Sequence, residues 1–512
     1  MTATLLLFFG VAVVVASAQT ASKKIIIGLT ADAMHTDPHQ TDELSSVIVY
    51  HHFYDALVRR TADMQFVPGL AESWTLQDDT TWIFNIRKGV LFHNGTELKA
   101  SDVVFSIERC RAQIMSSLVR YVASARAIDE YTVEIKTPQP YAVLHMDLSN
   151  FHSLNEAYVR SVGDEQLNQK PMGTGPYRLA DWVREDHMTL TAFENYYLGS
   201  AKIKEVTFRP ITNPATRTAA ILTGEVDVIQ DLAVRDVARV KRNPLFMVVS
   251  RPSLLNLSLA LDYRNRSPSI SLPSNPMKDV RVREAIARAI NVDAIGKVIM
   301  NGMATPSTQY VPATHLGYVE GLNFREQYPY DPSRAIALMK EAGLGNGFTM
   351  TLDATNNRYV NDQQIAQALA GMLAKIGITL KLNLMPKSRF FEYVRVPSDR
   401  SSLVMSGWDT PSGDAGAMYN SSMYSRDTKK GYGQSNRGSY HNPAFDALID
   451  RADATPDLNE RDQLLQQATR LAIKDIVLIP LHYEQDIYAA KRTVVLNPRV
   501  DKFIWAWEMD IR

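Results

Sequence analysis

Four groups of side chains in this sequence have the types and spacing to hold a polar small molecule. Trp408 stands in Ser406-Gly407-Trp408-Asp409-Thr410-Pro411-Ser412-Gly413-Asp414, after the apolar run Leu403-Val404-Met405. Its indole offers a large rigid face and one N–H donor, which suits a ligand of mixed polarity. Asp409 and Asp414 flank Pro411, and a carboxylate there can accept from an ammonium group at about 3 Å. The same positions suit turn caps, so both roles stay open. Arg358 and Tyr359 lie in Asn356-Asn357-Arg358-Tyr359, just ahead of a helix expected from Asn361. A guanidinium near a helix N-terminus can clamp an anion, although an exposed loop arginine is the plainer state. Asn436 and Arg437 belong to the glycine-rich loop Gly431–Gly438, which can carry either into a cleft or stay on the surface.

Covalent and metal chemistry have weaker footing. The chain contains no G-x-S-x-G elbow, no Walker A loop, no H-E-x-x-H and no EF-hand pattern. His35 and His39 are four apart, but Pro38 between them breaks the helix that would bring them together. His51 and His52 are adjacent and point apart in a helix. Cys110 is the sole cysteine and follows an apolar stretch, which reads as a buried inert thiol. The expectation is a binder without metal or cofactor. An exported hydrolase or peptidase is the alternative, and a binding protein used as sensor or chaperone is another.

Composition bounds the partners. Of 512 residues, 45% are hydrophobic and 21% charged, with Lys+Arg and Asp+Glu both at 55. Such a chain splits into two or three lobes, since single cores stop growing near about 250–300 residues. The balanced charge carries no basic footprint for nucleic acid. Leu5 to Val15 is almost wholly apolar and Ala16-Ser17-Ala18 follows, the pattern of a signal peptide over residues 1–18 with the mature chain starting near Gln19. No basic residue precedes the apolar run, and no cysteine stands at the cleavage point to carry a lipid. The expected location is the periplasm, without an anchor.

The elements that must position these residues alternate between strand and helix, which predicts an α/β fold. Lys23–Leu29, Leu70–Ile86, Tyr131–Lys136, Val206–Arg209 and Val226–Ile229 read as strands, the second of these spans as two. Leu44–Val58, Asp102–Arg111 and Thr216–Thr223 read as helices, the last stopped by Gly224. Asp331 caps a helix that opens with Pro332. Ile365, Leu369, Met372 and Ile376 form one helical face closed by Gly377, and Ile378–Leu384 alternates as a strand. Asn459–Lys474 is a further helix. Gly173-Thr174-Gly175-Pro176 is a backbone pivot, and Ser267–Pro276 a surface loop.

Eight blocks in this order resemble the bacterial extracellular solute-binding family 5: Phe66–Arg109, Met172–Leu179, Phe193–Gly199, Leu222–Ile229, Val280–Ile295, Tyr330–Leu344, Asn356–Ile378 and Ile479–Tyr483. The resemblance implies a two-lobed periplasmic-binding-protein fold with a hinge and an extra domain inserted in the first lobe. Carried over, lobe I is residues 19–48, 172–255 and 482–512, the insert 49–171 and lobe II 256–481. It implies a monomeric capture subunit that delivers a small ligand, such as an oligopeptide or amino-acid conjugate, to an ABC permease and ATPase. It also implies that the Trp408 loop faces the cleft and that the Arg358 region supplies a carboxylate-binding arginine. Peptide binders of the family carry an aspartate three residues after the tryptophan. Here Pro411 stands at that position, so Asp409 is the candidate substitute.

Overall fold

The computed structural model describes residues 23–267, 269–396 and 400–512. The expected signal segment lies outside them. Among the described residues, no helix is long and apolar enough to cross a membrane.

One eleven-stranded sheet runs through the molecule. Its strands in chain order are β1 (Lys24–Leu29), β2 (Tyr177–Val183), β3 (His187–Ala192), β4 (Glu205–Pro210), β5 (Val228–Ile229), β6 (Phe246–Leu261), β7 (Ala304–Pro306), β8 (Phe348–Thr355), β9 (Ile378–Met385), β10 (Leu403–Trp408) and β11 (Leu478–Lys491). Across the sheet the order is β9-β8-β10-β6-β11-β5-β1-β4-β3-β2, with β7 pairing β11 off this path. The fold is the two-lobed α/β architecture. β8 lies parallel to β9 and β10 in one lobe, and β1 parallel to β4 and β5 in the other.

Among the described residues, the antiparallel pair β6 and β11 lies at the centre of the sheet and links its two halves. Midway along it the register breaks. Pro252 pairs Gln485 and Asn256 pairs Tyr483, so Ser253, Leu254 and Leu255 stand opposite Glu484 alone. Pro252 has no N–H to give the ladder, and extra residues on one strand bend it. Leu254 packs with Met64 and Val500, whereas Leu255 joins the large core that runs from there to Leu481. Two neighbouring leucines thus serve different bodies, which marks the bend as the joint.

The three largest hydrophobic cores among the described residues follow the division. One gathers residues between Leu255 and Leu481. A second joins Ile25, Ile27, Val206 and Phe208 to Tyr488 and Met509. A third, from Leu57 to Met172, belongs to a four-stranded antiparallel sheet of Ala71–Asp78, Thr81–Ile86, Thr132–Lys136 and Ser124–Asp129, with helix Ala100–Arg111 against it. Cys110 lies in that core, fully buried, and burial pushes its thiol up to about 12. The chain returns from this unit through Gly173 and Gly175. A Cβ at Gly173 would fall 2.2 Å from the Phe53 carbonyl oxygen, so only glycine lets the two passing backbones bond.

Several boundaries differ from the pattern reading. The helix at Leu44 ends at Tyr50, because the chain turns at His51–Phe53 to leave the lobe. Both histidines fold back there, within hydrogen-bond distance of the Val47 and Ile48 carbonyls. The strand read from Val226 is only Val228–Ile229. The helix at Pro332 has Asp331 as its cap, accepting from the Arg334 N–H at 2.9 Å.

Candidate ligand-binding cleft

Between the lobes lies a cleft of about 670 Å³. Its floor is the joint, Leu254 and Leu255. One wall carries Asp42, Tyr50, His51, Arg60 and the C-terminal segment Val500–Phe503, with Met115, Leu118 and Asn150 of the inserted unit. The other wall carries Arg358, Asp409 and Pro411. The volume falls in the usual range for small-ligand pockets, about 300–1,000 Å³.

Arg358 reaches this wall because its loop is tied down from below. Asp362 accepts from the Thr355 hydroxyl at 2.6 Å and from the Arg358 and Tyr359 N–H groups at 3.0 and 3.2 Å. The next N–H, of Val360, donates to Glu484 of β11 at 2.8 Å. The loop is therefore fastened to the joint itself. Arg358 is exposed and Tyr359 buried, with the guanidinium 5.3 Å from the Tyr359 ring centre. Tyr359 in turn lies against Gly407, where a Cβ would come 2.8 Å from its ring.

Gly407 and Trp408 end β10, and Asp409 projects beyond them into solvent within the cleft. Crowding by the surrounding walls raises the Asp409 carboxyl, against the pull of Lys502, Arg60 and Arg358. Three cations thus bear on one carboxylate. Behind the loop, Trp408, Ser406 and Arg437 line a recess of about 30 Å³. The Arg437 guanidinium donates to the Ser406 hydroxyl at 3.1 Å, and burial lowers its pKa. Among the described residues it has no ion-pair partner, and the Trp408 indole N–H is buried without an acceptor.

The structure therefore brings Arg358, Tyr359, Trp408, Asp409 and Arg437 to one region. Two other candidates are engaged elsewhere. Asp414 accepts from Arg461 at 2.8 and 2.9 Å in a buried pair and caps the helix Ala415–Ser422 through the Gly416 N–H. Asn436 holds its own loop closed, bonding the Tyr424 and Tyr440 carbonyls and the Tyr440 N–H. Both side chains build walls.

The sequence matches a known family. Residues 65–430 match the family model of bacterial extracellular solute-binding proteins, family 5 (middle). The chain belongs to this family. Among family 5 relatives, the glutathione-binding protein GsiB of Escherichia coli O1:K1 is 28% identical over 94% of this chain and 92% of its own length. The periplasmic binding protein DppA from Helicobacter pylori, in complex with the peptide STSA, overlays with a TM-score of 0.72 at 25% identity, covering 95% of this chain and 98% of that one. MppA, a murein tripeptide binding protein in its unliganded open form, overlays at 0.82 with 19% identity, covering 96% and 98%.

Pattern reading missed several residues in and around this cleft. Arg60 is buried, and its guanidinium donates to the Pro411 carbonyl at 3.1 Å. Lys502 pairs with Asp486 at 3.2 Å and lies near Glu484 and Asp231. Burial drives the Asp486 carboxyl up to about 7 despite that cation. Asp501 is held by Arg499 at 2.8 and 3.0 Å, which offsets its burial and keeps it below the usual carboxylate value. The single sequence signal was the charge-rich run Arg499-Val500-Asp501-Lys502, and nothing in it names a partner hundreds of residues away.

Proposed function

We propose that this chain is the periplasmic capture subunit of an ABC importer, and that it takes a short peptide bearing more than one carboxylate into the cleft between its lobes. The observation that carries this reading is the pair Arg358 and Arg437. Neither has an ion-pair partner among the described residues, and Arg437 is desolvated as well. A buried cation without a counter-ion is costly, and a ligand carboxylate relieves that cost with charge-assisted bonds. Asp409 supplies a receptor for the ligand's ammonium group, and Tyr359 and Trp408 supply apolar faces. The relatives that bind glutathione and short peptides agree with this chemistry.

In this reading the lobes are residues 19–48, 172–255 and 482–512 against 256–481, with 49–171 inserted. They close by bending at Pro252–Leu255. Ligand contacts present only when closed drive the motion, and a permease then receives the closed monomer. No bond is broken, so the protein acts as a binder and not as an enzyme.

Glutathione and a set of neutral and acidic di- to pentapeptides test the reading by calorimetric titration with small-angle scattering. Acidic tripeptides are expected to bind and compact the protein, and to be recovered unchanged. Absence of binding across the set, or full affinity in an Arg358→Ala/Arg437→Ala double variant, would overturn it.

A further inference from the structure

A second cavity, of about 380 Å³, lies between the inserted unit and the larger lobe. It is walled off from the main cleft at two points. Arg60 reaches across to the Pro411 carbonyl, and the Phe66 ring fills the space beside Gly413, where a Cβ would come within 2.8 Å of it. The inserted unit contributes Arg120, Tyr121, Tyr141 and Asp147. The lobe contributes Tyr432, Lys430, Asp453 and Arg461.

Among the described residues, the charges in this cavity are ion-paired except for those of Arg120 and Asp147. Arg461 is saturated by Asp414 and by Asp453, the latter at 3.0 Å. Lys430 bonds Asp450 at 2.5 Å. Arg120 lies over the Tyr121 ring at 4.6 Å. Asp147 accepts one hydrogen bond, from the Tyr141 hydroxyl at 2.5 Å, and among the described residues no cation reaches ion-pair distance of it. Burial is the largest influence on this carboxyl and raises it to about 6, against the Tyr141 hydrogen bond and the more distant charges of Arg120 and Arg461. Beside it, Tyr121 and Tyr141 stack with ring centres 4.0 Å apart, and Tyr432 stands within electrostatic reach of Tyr121. A desolvated carboxylate without a partner at ion-pair distance, set among tyrosine faces, is an arrangement that can hold an organic cation, by an ion pair and by cation–π attraction.

We propose that this cavity is a second binding site, for a small amine or guanidine, with Asp147 as the counter-ion and the tyrosines as its walls. The site stands apart from the main cleft, and its assignment does not rest on which ligand that cleft takes. Because it spans the inserted unit and the larger lobe, its occupant ties together two bodies that must move past one another when the lobes close.

The test is calorimetric titration of agmatine, which has a guanidinium and an ammonium but no carboxylate, into the full chain. Binding is expected in the wild type. It should weaken at least roughly tenfold in Asp147→Asn, the loss of one charge-assisted contact of about 1.4 kcal/mol or more. Asp147→Glu should retain most of it, and Tyr121→Leu should lose several-fold. Melting curves confirm that each variant is folded. No binding of agmatine to the wild type, or equal binding to Asp147→Asn, overturns the proposal. An equal loss in Asp409→Asn would also overturn it, by placing agmatine in the main cleft.

Discussion

Two arginines in the larger lobe look alike in sequence and do opposite work. Arg461 is locked by Asp414 and Asp453, deep in the lobe. Removing one partner of such a buried pair strands the other, at about 3–5 kcal/mol. Asp414→Ala should therefore lower stability by about that much in urea titrations, while the folded fraction keeps its affinity for acidic peptides. Arg437 has no such partner, so the folded protein gains little from its charge. Arg437→Met should leave the urea midpoint unchanged or raise it, and should weaken acidic peptides at least tenfold, the loss of a charge-assisted bond worth about 1.5–3 kcal/mol. A large loss of stability in Arg437→Met would show the charge to be structural. Residue types alone could not separate the two arginines, because what distinguishes them is the acid each meets after folding.

At the level of elements, the sequence pattern was legible wherever local chemistry decides the shape. Ile365 and Leu369 are buried on one helix face as their spacing requires and Met372 packs partly against the same core, whereas Ile376 is buried just beyond the helix, which ends at Ala374. Asp331, Pro332 and Gly224 start and stop their helices. Legibility failed where tertiary contacts decide. The helix from Leu44 stops at Tyr50 because the chain must enter the inserted unit, and no local signal says so. The site was legible in part for the same reason. Trp408 and Arg358 sit at element ends that a pattern can find, whereas Arg60 is held through its carbonyl by Arg499 and Lys502 by Asp486, both distant contacts that no local pattern shows. The tie from Val360 to Glu484 belongs to this scale, since it fastens the Arg358 loop to the joint strand. Glu484→Ala should strip the Val360 amide of hydrogen-exchange protection and cost about 1–3 kcal/mol, leaving the peptide affinity several-fold weaker. Full protection of that amide in the variant would show the loop to be held by Asp362 alone.

At the scale of the whole molecule, burial sets the response to pH. His39, His52, His93, His145 and His482 are each pushed down to about 4 by burial, and His152 to about 3. They stay neutral in the folded state, but in the unfolded chain they take up protons below about 6.5. Their stability is therefore complete above that value and lost as pH falls toward 4. Asp55, Asp147 and Asp486 are raised to about 6, 6 and 7 and act in the opposite sense, but they are fewer. The unfolding free energy should drop by several kcal/mol between pH 7 and pH 5, at about 1 kcal/mol or more per histidine, as denaturant titration can measure. A flat profile would place these histidines nearer solvent. The long pair β6 and β11 acts on the molecule in time as well. Its pairing joins residues 246–261 to 478–491, and the strand at Lys24 must await partners beyond residue 200. Contacts so distant along the chain are slow to form, because the loops they close are paid in entropy before any contact rewards them. The last strand of the large sheet to emerge from synthesis is thus the one that joins the two lobes, and the lobes cannot be linked through it until it arrives.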